Sequence, residues 1–397
     1  MQLKKPSSSL LALTTAALAL PGYAPNAEAW ADTESDAGYR FSFYKEGDIS
    51  AEATNGHSSE RYQVISNQFH LLMPRGEEWE YAADVTLETM SGASPWYIVP
   101  GDSGKPIQVM SGASIEDTRY ALQGRARKFR EDGKESFTAS VSNERDYLSI
   151  SGGGDVDFEL DGKRTTISAG ALYSHDTLNP TDGRSDRFPD RIDHATKNTM
   201  TAYGGVSEIL NEQTVAQLAL SYTFSDGFLS DPYKEAYVAG NIVADSRPDR
   251  RNQFAVNFKL RQYWAGWKGA LHLDARYFHD DWGVAADTVE LGWYQSVGDS
   301  WTVSPSVRWY EQGHADFYRP YYTVTRDDGH YSSDYRLSAY GALAYRLGVM
   351  DTWKQWSFSM ALEYYDSNDG YTLHSVDQAN PGLVDFAVIS ASVSRKF

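Results

Sequence analysis

Cysteine is absent from all 397 residues. That excludes a disulfide framework, thiolate metal sites and a lipid anchor on an N-terminal Cys, so any association with a membrane has to come from the fold itself. Long apolar runs are missing as well. Beyond residue 30 no segment approaches the roughly 18 consecutive apolar residues that a transmembrane helix needs. Basic charge is scarce, with Lys plus Arg at 36 against Asp plus Glu at 54. A phosphate backbone needs a basic surface to release its counterions, which argues against a nucleic-acid partner.

Local catalytic signatures are also missing. The nine histidines, at 57, 70, 175, 194, 272, 279, 314, 330 and 374, never fall three to five residues apart, so there is no local zinc motif. Gly152-Gly153-Gly154 is not followed by Gly-Lys-Ser/Thr, and no Gly-x-Ser-x-Gly elbow occurs. The chain therefore reads as non-enzymatic and without a cofactor. A hydrolase assembled in a barrel wall from distant Ser, His and Asn is the enzymatic alternative.

The N-terminus shows an ordered export pattern. Lys4 and Lys5 precede an apolar stretch from Leu10 to Leu20, then Pro21-Gly22 and Ala27-Glu28-Ala29. This reads as a signal peptide over residues 1–29, cleaved after Ala29. Its removal lowers Lys plus Arg from 36 to 34 and Asp plus Glu from 54 to 53, taking the net charge from −18 to −19. Residues 30–37 follow as a short periplasmic lead, and 38–397 as one domain.

Aromatics are plentiful, at 14% of the chain with 27 Tyr and 11 Trp, and they fall in a period-two pattern. From Phe254 onward, Phe254, Val256, Phe258 and Leu260 alternate with Gln253, Asn257, Lys259 and Arg261. The next run sets Trp267, Leu271, Leu273 and Tyr277 against Lys268, His272, Asp274 and Arg276; two more set Val289, Leu291 and Trp293 against Glu290, and Val303, Val307 and Trp309 against Arg308. Runs of about ten residues, apolar on one face and polar on the other, are the signature of a membrane β-barrel. Secreted glycan-binding β-sandwiches share the aromatic richness and are the soluble competitor.

Taken in order, the chain offers strands near 39–43, 61–73, 78–90, 116–130, 134–142, 145–160, 163–175, 197–210 and 213–225, the four runs above, and 333–347, 353–365 and 384–397. Short turns such as Asp132-Gly133 and Gly298-Asp299 alternate with long polar loops at 177–196, 227–250, 314–332 and 367–383. That is how bacterial barrels divide periplasmic turns from extracellular loops. The expected fold is all-β: a transmembrane antiparallel up-and-down β-barrel of about 16 strands, within a range of 14 to 18. If the run at 78–90 pairs with the run at 116–130, acids Glu80, Asp84 and Glu88 come opposite Arg119, Arg125 and Arg127. Tyr335, Leu337, Ala339, Gly341, Leu343 and Tyr345 read as a late outward band. The segment 91–114, bracketed by Met90-Ser-Gly-Ala-Ser94 and Met110-Ser-Gly-Ala-Ser114, is too rich in Pro and Gly for strand. It reads as a duplicated strand-exit turn, the alternative being a loop that folds inward and narrows a pore.

Several motifs carry a resemblance. Ser91-Gly92-Ala93-Ser94-Pro95, the pair Asp231-Pro232-Tyr233-Lys234 and Arg247-Pro248-Asp249-Arg250, Tyr277 through Gly283, and Arg308-Trp309-Tyr310-Glu311-Gln312 running to Tyr318 together resemble the DUF3570 family over about residues 38–397. The resemblance implies an envelope barrel and supplies no catalytic residues.

Candidate functional residues follow from the pattern. Lys259, Arg261, Lys268, Asp274, Arg276, Glu290, Arg308 and Arg336 are expected to line a lumen and set selectivity. Asp280-Asp281-Trp282 reads as a strand end with Trp282 anchored at the interface, or else as a ligand or calcium site completed by Asp231 and Asp249. The loop 180–194 reads as a solvated, self-paired charge cluster. The expected setting is the outer membrane of a Gram-negative bacterium, with membrane lipid and an unknown solute or envelope protein as partners. A terminal aromatic, Phe397, on an alternating strand looks like the signal read by the barrel assembly machinery. A porin-like channel and a plugged docking barrel are the two functional readings.

Overall fold

The computed structural model describes residues 34–54, 60–101, 104–111, 115–186 and 188–397, so the expected signal peptide and the first half of the lead lie outside the described residues. Alternating sequence produces extended chain because β-branched and aromatic side chains fit a pleated surface that is apolar on one side. The strands are β1 (Asp36–Glu46), β2 (Gln63–Arg75), β3 (Trp79–Gly92), β4 (Pro95–Pro100), β5 (Pro106–Met110), β6 (Ile115–Arg130), β7 (Gly133–Asn143), β8 (Tyr147–Leu160), β9 (Thr165–Leu178), β10 (Ala195–Asn211), β11 (Thr214–Gly227), β12 (Glu235–Val238), β13 (Asn241–Ala244), β14 (Arg250–Trp264), β15 (Gly269–Asp280), β16 (Ala285–Val297), β17 (Trp301–Gln312), β18 (Tyr340–Trp353), β19 (Trp356–Asn368) and β20 (Phe386–Lys396).

Among the described residues, sixteen of these close into one antiparallel barrel in which each strand pairs with its neighbour in sequence and β1 pairs with β20. Closure leaves no unpaired edge, the condition for burying a sheet in lipid. The two hairpins β4–β5 and β12–β13 stand outside the barrel wall. The start of β1, the end of β20 and the turns 76–78, 131–132, 212–213, 265–268, 298–300 and 354–355 share one rim. The opposite rim carries the long loops 93–114, 179–194, 228–249, 313–339 and 369–385, together with the short connections 144–146 and 281–284.

The period-two pattern sorts the faces. Leu122, Phe137, Ile150, Met200, Leu218, Leu291, Leu347, Met360, Leu362 and Ile389 point outward and are exposed. Near the short-turn rim this band is edged by Trp79, Tyr81, Trp264, Trp267, Trp301 and Trp353, and near the long-loop rim by Tyr120, Tyr173, Tyr222, Tyr277 and Tyr364. From Trp356 to Tyr364 the strand runs roughly 26 Å, or about 20 Å along the axis of a barrel with strands tilted by about 40°. That is close to the apolar band of about 25 Å in a membrane barrel, flanked by aromatic girdles.

Register fixes the inner wall. β3 pairs with β6 so that Glu80 faces Arg127 and Glu88 faces Arg119. Both become ion pairs, at 2.6 Å and 3.1 Å, as the charge pattern required.

Two local expectations are corrected. The stretch 91–114, read as strand-free, holds the hairpin β4–β5; Pro95 pairs with Met110 and Pro100 with Pro106, so prolines occupy the hairpin ends. Gly92 leaves β3 at a φ of 132°, and a Cβ there would meet the Arg61 carbonyl oxygen at 2.3 Å, which explains a glycine at this exit; Gly112 of the second copy lies outside the described residues. Tyr335 and Leu337 are not part of an outward band: Tyr335–Leu337 is a short 3₁₀ turn, both side chains are buried, and β18 starts only at Tyr340. Alternation alone could not separate a strand from an extended loop whose apolar residues are buried elsewhere.

Candidate functional site

The inner wall carries charge at mid-height. Lys259 and Arg261 on β14, Asp274 and Arg276 on β15, Glu290 on β16 and Arg308 on β17 fall on the positions that alternate with outward Phe258, Tyr277, Leu291 and Val307. Cross-strand register places Lys259 beside Asp274, Asp274 beside Glu290, and Glu290 beside Arg308. Arg261 grips Asp274 at 2.8 Å, and Arg308 lies 3.5 Å from Glu363 of β19. A lumen cavity of about 310 Å³ is bordered by Thr201, Tyr203, Gln217, Asn257 and Lys259. Tyr203 lies over Gly170, where an added Cβ would come within 2.6 Å of the ring.

Two of the eight expected wall residues sit elsewhere. Lys268 occupies the turn 265–268 with a φ of 50°, because the turn is longer than the two-residue turn that the pattern suggested. Arg336 belongs to the loop 313–339 at the opposite rim.

That loop bridges the mouth. On one side Tyr335 joins a buried cluster with Tyr44, Val64, Met90 and Val388, inward residues of β1, β2, β3 and β20. On the other side Arg336 reaches Asp231 at 2.9 Å in the loop between β11 and β14. Around the ring, β3 and β11 lie on opposite flanks of β17, so a segment touching both spans the opening. Further ties hold it: Arg247 donates to Asp334 at 2.9 Å, Asn380 donates to the Tyr318 hydroxyl at 2.8 Å, and Tyr322 packs with Ala236 and Val238. Hairpin β4–β5 joins the same cap, since Lys234 donates to the Pro95 carbonyl at 2.9 Å and Gln108 N to the Ala53 carbonyl at 2.8 Å.

Charge is concentrated under this lid. Asp231, Lys234, Asp245 and Asp334 are buried, and Arg247 lies half-buried among them. Burial alone would raise the Asp334 carboxyl, yet Arg336, Lys234 and Arg247 together hold it well below the usual carboxylate range. Asp231 is likewise lowered against its burial, chiefly by Arg336. Burial brings Lys234 down despite Asp334, and raises Asp245 despite Arg247. The motif Asp231–Lys234 thus supplies two of the lid's buried charges, and Arg247 of the second motif pairs with Asp245 and Asp334 beside them.

The four loop acids are not gathered into one ligand site. The Asp280 side chain is occupied by Arg251, 2.7 Å from Nε, and by the backbone N–H groups of Trp282 and Val284. Asp281 accepts from Asn252 N and Nδ2, Asp231 is held by Arg336, and Asp249 is exposed on its own loop. Trp282 is buried rather than anchored at an interface; its indole donates to the Arg250 carbonyl at 2.8 Å, with the Arg251 guanidinium 4.4 Å from its ring. Arg191, expected in a solvated cluster, is also buried, stacked on Phe188 and donating to the Pro232 carbonyl. In each case an Arg or Trp was claimed by a distant loop, a contact with no local sequence signature.

One cluster was missed altogether. Asp117 at the head of β6 and Glu144 and Asp146 in the connection 144–146 converge, with one oxygen of each lying within 4.8 Å of the others. Burial, then Asp117 and Asp146, push the Glu144 carboxyl up to about 8. The only local hint was the two acids of Glu144-Arg145-Asp146 in a tight turn. A cavity of about 290 Å³ lies beside them, bordered also by Tyr147, Arg247, Trp282 and Arg336.

Among solved structures the chain is similar to the ferric enterobactin receptor of Pseudomonas aeruginosa (12% identity, 85% of this chain and 54% of the receptor covered, TM-score 0.45). It is also similar to the CymD monoaromatic hydrocarbon channel (9% identity, 92% and 88% covered, TM-score 0.42) and to a bacterial polysaccharide outer membrane secretin (11% identity, 91% and 98% covered, TM-score 0.43). The chain spans about half the length of the receptor. No protein of curated function matches the sequence. The sequence profile of DUF3570, described as a protein of unknown function, matches residues 10–380, and the chain belongs to that family.

Proposed function

We propose that this protein is an outer-membrane barrel that passes small polar solutes along a charged lumen and rests with its long-loop mouth covered by a folded lid. The outer face carries the reading of location: an apolar band between a Trp-rich and a Tyr-rich girdle has no use in water and matches a lipid bilayer. The inner wall supports passage. Its charges include the complementary cross-strand pairs Lys259–Asp274 and Glu290–Arg308, and charged lumen-lining groups tune selectivity. An export signal at residues 1–29 and recognition of the Phe397 end by the assembly machinery complete the route to the membrane.

The lid favours a second reading, a plugged barrel whose outer loops dock an envelope partner. Conductance in planar bilayers separates the two. Current from the purified protein that grows when the lid is shortened supports passage, whereas an intact barrel that is silent in both forms supports docking.

A further inference from the structure

We propose that Asp117, Glu144 and Asp146 form a calcium site at the long-loop rim, independent of what the barrel passes. All three are more than nine-tenths buried, and one oxygen from each lies within 4.8 Å of the others. Bare carboxylates do not gather away from water without compensation. The compensation on the protein side is incomplete. Asp117 Oδ1 accepts from Thr118 N at 2.7 Å, but Asp117 Oδ2 and Glu144 Oε1 are buried with no hydrogen-bond partner among the described residues. Arg119, 3.1 Å from Glu88, and the exposed Arg145, whose backbone N–H also serves Asp117, offset part of this charge but reach neither orphaned oxygen.

Space for an ion adjoins the orphaned oxygens. A cavity of about 10 Å³, bordered by Asp117, Glu144, Glu88, Arg119, Val64 and Met90, is about large enough for one small occupant. The donor set is all oxygen and triply acidic, which selects a hard cation. Calcium binds oxygen at about 2.3–2.6 Å, so oxygens on opposite sides of it stand roughly 4.6–5.2 Å apart; magnesium, at about 2.0–2.1 Å, would need them within about 4.2 Å. All three oxygens lie within 4.8 Å of one another, a span that accommodates calcium, and three protein carboxylates suit calcium better than magnesium, which dehydrates reluctantly and keeps several of its waters. The larger neighbouring cavity, which reaches Glu144 and Asp146, can admit the waters that fill the remaining coordination positions.

The site would act as a rivet. The Tyr233 hydroxyl donates to Asp146, and Asn179 N donates to the Asp146 carbonyl at 2.8 Å. A cation here therefore fixes β6 and the connection 144–146 at the point where the loops 179–194 and 228–249 are tied down.

Terbium, a calcium mimic excited through neighbouring Tyr, tests this on the full-length protein folded in detergent. Tyr147 and Tyr233 stand next to Asp146, so saturable terbium emission is expected, displaced by calcium at lower concentration than by magnesium. Glu144→Gln and, separately, Asp117→Asn should abolish it while the heat-modifiable gel shift persists; Asp281→Asn should leave it unchanged. Emission that survives in either folded variant, or no saturable emission from the wild-type barrel, overturns the proposal. Calcium binding measured by calorimetry on the wild type decides the matter if both variants fail to fold: one site per chain supports it, no heat refutes it.

Discussion

Arg336 Nη2 stands 2.9 Å from Asp231, closing a contact across 105 residues of sequence between the loops that follow β17 and β11. The same guanidinium holds Asp334 through Nε at 2.8 Å, so one side chain compensates two buried carboxylates. Removing it takes this ion pair from Asp231 and leaves Asp334 to Arg247 and Lys234. Arg336→Ala is expected to cost about 3–5 kcal/mol in lid stability, the range for breaking one partner out of a buried ion pair. Amide hydrogen exchange should show faster exchange in 313–339, with β14 to β17 unchanged.

The lid ties should survive mild acid. Asp334 and Asp231 both titrate below their unfolded-state values, so their stabilising contribution is complete above the ordinary Asp range and is lost only as pH falls through the depressed folded-state values. Because the chain has no native cysteine, a nitroxide on Val324→Cys, an exposed lid position, gives a single label. Its mobility should stay flat from pH 8 to pH 4 and rise only in stronger acid. A midpoint near pH 5 would contradict this assignment of the charges.

The outward face makes a depth-dependent prediction. Leu362 is 54% exposed on the outward face of β19, next along that face to Met360 at the centre of the apolar band between Trp356 and Tyr364. Leu362→Arg should destabilise the inserted barrel by about 2–4 kcal/mol. Ala361→Arg, on the adjacent inward position, should cost far less. Urea titration of the barrel folded in vesicles measures both; equal losses would mean that the face assignment is wrong.

Lumen charge sets a selectivity prediction. Lys259 borders the lumen cavity and lies in register with Asp274. Lys259→Glu should shift the reversal potential in a salt gradient toward cation preference while lowering the unfolding free energy from urea titration by at most about 1 kcal/mol, because the new carboxylate faces Asp274 across the strands.

Much of the wall was legible because a closed sheet obeys a local rule. Side chains alternate with a period of two, so Glu80, Glu88, Arg119 and Arg127 could be assigned to one face before their strands were known to pair. The lid was not legible, for a physical reason. Tyr335 and Leu337 alternate like strand residues, but their partners are Tyr44 and Met90 on one flank and Trp282 and Phe317 on the other, set by loop closure rather than by neighbours in sequence. Lys268 slipped off the wall because a four-residue turn replaced a two-residue one. Asp117, Glu144 and Asp146 come from two elements that meet only when β6 and β7 pair.

The central claim, a passable lumen limited by its lid, rests most directly on single-channel recording. Wild-type protein and a variant with residues 319–332 replaced by a short Gly-Ser linker are inserted into planar bilayers, each checked for the heat-modifiable shift. The account predicts small, intermittent current from the wild type and larger, steady current from the shortened form. Silence from both, with both barrels intact, would contradict it.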